Sequence, residues 1–213
     1  MSYNICMQTF SIKEAVKHGW TLFKANKKIL ILATLLFVIL SNLNNQSGDG
    51  WGRYHSGFSP IVWLVLFAVS IIVQIGWLKI MLHIERGEKA SLTELFTHVE
   101  IFWKYLGVHI IYIVAMMIGF VLLVIPGFYV ALKYGFAPAL IVDKKDLKIG
   151  EAFKQSALMS KDTKWKLLGL FVVMVLLNIL GTIALGVGLL VSIPVSSLAF
   201  IHVYKGLSSR LDA

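Results

Sequence analysis

Lys133 has the most unusual chemistry open to it in this chain: an ammonium group inside the apolar run 128 to 142, which contains no carboxylate. A charge so placed either marks a site for an anion or snorkels, its four-carbon stem carrying the charge to the headgroups. Snorkelling ranks first of the two; the site reading has Lys133 bind a lipid phosphate or an anionic solute. Asn178 lies in the next apolar run, and Ser192, Ser196 and Ser197 in the one after it, at depths that allow them to approach. Lys133, Asn178, Ser192 and Ser196 therefore form the candidate intramembrane polar site, expected in the outer leaflet.

Other chemistry is poorly represented. The six histidines, His18, His55, His83, His98, His109 and His202, show no metal-ligand spacing. The single cysteine, Cys6, excludes an internal disulfide and a multi-thiolate zinc site. No nucleophile elbow, P-loop or dinucleotide fingerprint occurs. No Asp or Glu lies inside the apolar runs, which removes the usual proton-relay groups of pumps and secondary transporters. The expectation is a protein without catalytic residues, cofactor or metal.

These residues must be positioned by a membrane domain. Of 213 residues 58% are hydrophobic and only 15% charged, with a mean hydropathy of +0.80, beyond the range of soluble domains. Six apolar runs, 29 to 43, 60 to 81, 106 to 124, 128 to 142, 167 to 185 and 189 to 204, predict six transmembrane helices. Ile125-Pro126-Gly127 and Gly186-Val187-Gly188 are the expected reversals that join the last four into two hairpins. Ala115 with Gly119 and Ala184 with Gly188 are small-residue pairs that let helices approach.

Charge gives the orientation. Five lysines precede the first run, four basic residues surround the second connection, seven lie between Lys144 and Lys166, and Lys205 and Arg210 follow the last run. Against these stand Arg53 in the opposite loop and Lys133. Basic residues stay on the cytoplasmic side of short loops, so both termini are expected in the cytoplasm. The net charge of +9 is thereby explained by topology and by anionic headgroups at the cytoplasmic face, without nucleic acid. The six tryptophans, Trp20, Trp51, Trp63, Trp77, Trp103 and Trp165, fall near expected span ends, where indoles favour the interface. Asn45-Gln46-Ser47 reads as an accidental glycosylation pattern.

A polar preface precedes each hairpin. Ser11-Ile12-Lys13-Glu14 and Ser91-Leu92-Thr93-Glu94 are capping boxes, and Lys148-Ile149-Gly150-Glu151 keeps the glutamate. The expected fold is all-α: one integral membrane domain of three pseudo-repeated units, about 11–81, 91–142 and 148–204. Each unit is an amphipathic interfacial helix plus a transmembrane hairpin. The first interfacial helix is expected to be the freest.

Ile125-Pro126-Gly127-Phe128-Tyr129, with Ala131, Lys133-Tyr134, Ala137-Pro138, Glu151-Ala152, Ser156, Lys164-Trp165 and the tail Val203-Tyr204-Lys205-Gly206-Leu207, carries a resemblance. Over residues 119 to 207 the chain resembles a broad family of small prokaryotic six-helix membrane proteins, related to the membrane domain found beside glycerophosphodiester phosphodiesterases. The resemblance implies a fold and a prokaryotic cytoplasmic membrane, and no reaction. Lys133 stands where arginine is the commoner residue, and Ser160-Lys161-Asp162 replaces a usual glycine. The sequence thus points to a non-enzymatic protein that organises lipid or a membrane partner protein. The alternative is a small transporter or channel for an anionic solute or lipid, which the lack of a clear unwound helix disfavours.

Overall fold

Ser11 starts the first helix as its spacing with Glu14 requires: its hydroxyl accepts from the Glu14 amide at 3.4 Å. The computed structural model describes residues 10–43, 60–122, 124–161, 163–184 and 186–211. Cys6, Asp162 and the loop with Trp51, Arg53, His55 and Asn45-Gln46-Ser47 lie outside the described residues. The helices are α1 (Ile12–Ala25), α2 (Lys27–Leu43), α3 (Pro60–Glu85), α4 (Glu94–Thr97) followed by a 3-10 turn (Val99–Ile101), α5 (Phe102–Leu122), α6 (Val124–Tyr134), α7 (Ala137–Asp143), α8 (Ile149–Met159), α9 (Lys164–Ile183) and α10 (Leu189–Ser208). No strand occurs among the described residues.

Among the described residues, four helical stretches are long and apolar enough to cross a membrane: Leu64–Glu85, Val99–Val121, Lys164–Ile183 and Leu189–Ser208. Together with the exposed apolar faces of α5 and α9, this is the composition and geometry of a membrane protein. The two other expected spans differ. The run 29 to 43 is α2, whose 17 residues rise only ~25 Å against a hydrocarbon core of ~30 Å. The run 128 to 142 divides into α6, of 11 residues, and α7, of 7.

The cause of that division is local and visible. Tyr134 ends α6, Gly135 and Phe136 form a turn, and Pro138 in the first turn of α7 lacks the amide hydrogen that would continue the ladder. Serine hydroxyls from α8 then satisfy the freed backbone groups. Ser156 and Ser160 donate to the Lys133 carbonyl at 3.0 and 2.9 Å, and the Phe136 amide donates to Ser156 Oγ at 3.2 Å. The unwound segment that the sequence did not announce is therefore present, with its polar backbone satisfied within the protein.

The prefaces share their start and not their length. Glu94 and Glu151 accept from the backbone amides of Ser91 and Lys148 at 3.0 and 3.3 Å. The helices that follow run 4 and 11 residues, against 14 for α1. α1 is not free: Ala15, Gly19 and Phe23 are buried in one stripe against the bundle. A Cβ on Gly19 would stand 2.8 Å from the Val195 carbonyl and 3.1 Å from the Ala199 amide, so only glycine lets α1 cross α10 this closely.

Two further expectations shift. α5 ends at Leu122 and α6 begins at Val124, which puts Pro126 and Gly127 within the first turn of α6. There an amide would be unsatisfied anyway, and Gly127 instead lies against Gly119. Trp77 is no interface indole: it is buried, stacked on Phe37 at 5.1 Å, and donates from Nε1 to Ser197 Oγ at 3.3 Å. Trp20, Trp103 and Trp165 are exposed.

Candidate functional site

The expected polar cluster divides into two groups. Asn178 and the α10 serines do meet. Ser192 donates to Asn178 Oδ1 at 2.9 Å, and Asn178 Nδ2 donates to the Met174 carbonyl at 2.9 Å and more weakly to Ser196 Oγ at 3.4 Å. The serines share one face through their four-residue spacing, and Gly181 against Gly188 brings α9 close enough for the side chains to touch. Ser197, one position on, points to Trp77 instead. All polar atoms of this group find partners within two helices, the arrangement of interhelical glue.

Lys133 belongs to a different neighbourhood. Its Nζ lies 5.1 Å from the centre of the Tyr134 ring and 5.9 Å from that of Tyr129. Lys164, at the start of α9, donates to the Tyr129 hydroxyl at 2.9 Å and stands 4.2 Å from the same ring. Two ammonium groups thus share one phenol, each held by cation–π attraction. Among the described residues neither pairs with a carboxylate, and no hydrogen bond joins Lys133 to Asn178, Ser192 or Ser196.

The Tyr129 ring forms part of the wall of an apolar groove of about 730 Å³ between α6 and α9, lined also by Phe128, Leu132, Leu168, Phe171 and Lys164. Behind Phe128, Leu132 and Phe171 lies a second apolar cavity of about 400 Å³, reaching Tyr112 on α5 and Phe136 at the helix break. Both volumes suit a ligand of modest size. Trp165, 86% exposed, flanks the groove beside Lys164.

At the end of the bundle where α3 and α7 finish, charges pair across helices. Asp143 accepts from Arg86 and from the Tyr204 hydroxyl, the latter at 2.9 Å. Lys145 binds Glu100 at 2.6 Å, and Lys104 donates to the Lys145 carbonyl at 2.6 Å. His83 sits 2.8 Å from Glu94 and 3.7 Å from Glu88. Close by sequence, Glu85 meets two histidines, His18 and His202, from helices remote in the chain. Spacing rules missed this trio because its members lie 67 and 117 positions from Glu85; only Glu85 and His202 stand near the ends of apolar runs, and His18 lies in the first polar preface.

Comparison with protein-family models, with curated proteins and with solved structures returns no match. The class of molecule is therefore read from its own geometry: described residues that are all helical, with four helices able to cross a membrane, and an apolar groove lined by Lys164 and by Tyr129, whose ring Lys133 also approaches.

Proposed function

We propose that this is a non-enzymatic integral membrane protein that binds an anionic phospholipid, its phosphate between Lys133 and Lys164 and an acyl chain in the groove between α6 and α9. The observation that carries this reading is the convergence of two ammonium groups on the Tyr129 ring beside an apolar groove. Neither ammonium pairs with a carboxylate among the described residues, and a phosphate oxygen offers an acceptor to each. The exposed Trp165 indole suits the same headgroup depth.

In this reading the chain crosses a prokaryotic cytoplasmic membrane six times, with α2 a short crossing and α6–α7 an interrupted one. Both termini and the basic loops face the cytoplasm, where anionic headgroups collect. The three units, about 11–81, 91–142 and 148–204, each contribute a polar preface and a hairpin. The exposed face of α5 leaves room for a membrane protein partner. Nucleic acid has no part, and the resemblance seen over residues 119 to 207 supplies a fold without a reaction.

Native mass spectrometry of the detergent-purified protein tests the reading. Wild type should retain about one anionic phospholipid per chain, and Lys133→Met and Lys164→Met should lose it with helicity unchanged. Identical, nonspecific adducts in all three proteins would discard the proposal. A second reading, a small transporter or channel for an anionic solute or lipid, draws on the break between α6 and α7, since discontinuous helices line the sites of many secondary transporters. Movement of labelled phosphatidylglycerol across proteoliposomes faster than across protein-free vesicles would favour it.

A further inference from the structure

We propose that His18, Glu85 and His202 bind one divalent transition-metal ion of the Zn²⁺ class and so clamp α1 to α3 and α10. The ligand atoms are already assembled. His18 Nε2 lies 3.2 Å from Glu85 Oε2, and His202 Nδ1 lies 2.8 Å from Glu85 Oε1. All three ligand atoms fall within 4.8 Å of one another. Two donors ~2.1 Å from a shared cation stand about 3.0 to 3.4 Å apart at angles of 90 to 109°; both histidine–carboxylate distances lie close to that range, and the two imidazole nitrogens, within 4.8 Å, close further on a shared ion.

The donor set selects the ion. Two imidazoles and one carboxylate suit Zn²⁺ and its neighbours, whereas Mg²⁺ and Ca²⁺ require oxygen donors throughout. The carboxylate is well placed to act as a ligand: its side chain is 6% exposed, and Arg86, the adjacent cation, is occupied by Asp143. The histidines differ from it. Their side chains are 39 and 38% exposed, and their rings lie 4.1 Å apart at a tilt of 33°. The site is therefore open on one side, where water completes the coordination as it does in three-ligand zinc sites. Without metal, both rings can donate to Glu85, and the same contact serves as a hydrogen-bond latch.

The site lies apart from the Lys133–Lys164 groove, on α1, α3 and α10 rather than α6 and α9. It therefore stands or falls independently of lipid binding. The test is titration of the detergent-purified, chelator-treated full chain with Zn²⁺, with Mg²⁺ for comparison and metal counted by mass spectrometry. Wild type should bind one Zn²⁺ with a Kd at or below about 1 μM, and His202→Gln and Glu85→Gln should weaken it by about tenfold or more. Co²⁺ titration of wild type should produce the visible absorption of an imidazole-ligated ion, a readout that does not depend on the variants folding. Zn²⁺ binding equal in wild type and in the His18→Gln, His202→Gln double variant would overturn the proposal. So would an absent Co²⁺ signal, or a preference for Mg²⁺.

Discussion

α9 and α10 are neighbours in the chain, each 20 residues long, and their surroundings are opposite. Of the apolar window in α10, 44% is buried within the protein, against 17% for α9, although α10 is the more polar of the two. In water the ranking would be reversed. Where the solvent is lipid, a leucine gains little by leaving it, whereas a serine or a tyrosine hydroxyl gains a partner. Ser192, Ser196, Tyr204 and the kink-prone Pro194 therefore turn α10 inward, and the bare leucines and valines of α9 turn outward.

The sharpest way to break this contrast is to disturb the seat of α10. Gly19→Leu forces a side chain into the Val195 carbonyl and the Ala199 amide, where neither backbone can yield. It should cost about 3 kcal/mol or more, read as a lowered midpoint of thermal unfolding in detergent. A smaller loss should follow Asn178→Leu, which removes the acceptor for Ser192 between the two helices. The expected cost is about 1 kcal/mol by steric trapping, the scale of an interhelical hydrogen bond in a membrane. Smallest of all, Leu180→Ala on the exposed face of α9 should change stability by less than about 0.5 kcal/mol. A loss of 2 kcal/mol or more there would mean that another protein, rather than lipid, covers that face.

Much of this contrast was legible in the residues. The runs that became α3, α5, α9 and α10 declared themselves by length and by the absence of carboxylates. The meeting of Asn178 with Ser192 and Ser196 followed from depth and four-residue spacing. Lys133 did not follow, because depth alone does not say which neighbour a helix face meets, and its face of α6 meets Tyr129 and Tyr134 rather than Asn178. The chain turns at Gly135, α8 meets the break through Ser156 and its C-cap Ser160, and the Lys133 ammonium lies over the Tyr129 ring that Lys164 also approaches. Pro138 and Gly135 were the hints, and neither by itself separates a kink from a break. The seat of α1 was equally hidden, since an apolar stripe looks the same whether it lies on lipid or on another helix; Gly19 alone marked the close crossing. The histidine trio is a tertiary fact, brought about by three helices that no local pattern connects.

The crossing of α1 over α10 also sets an order in time. Gly19 and Ala199 are roughly 180 residues apart, and a ribosome adding ~5–20 residues per second needs on the order of 10 to 40 seconds to make the stretch between them. Throughout that interval the first helix has been synthesised and its docking groove has not. Its buried stripe, Ala15, Gly19 and Phe23, must wait without its partner face until the last helix is made. The closing step of biogenesis is thus the return of the beginning of the chain to its end.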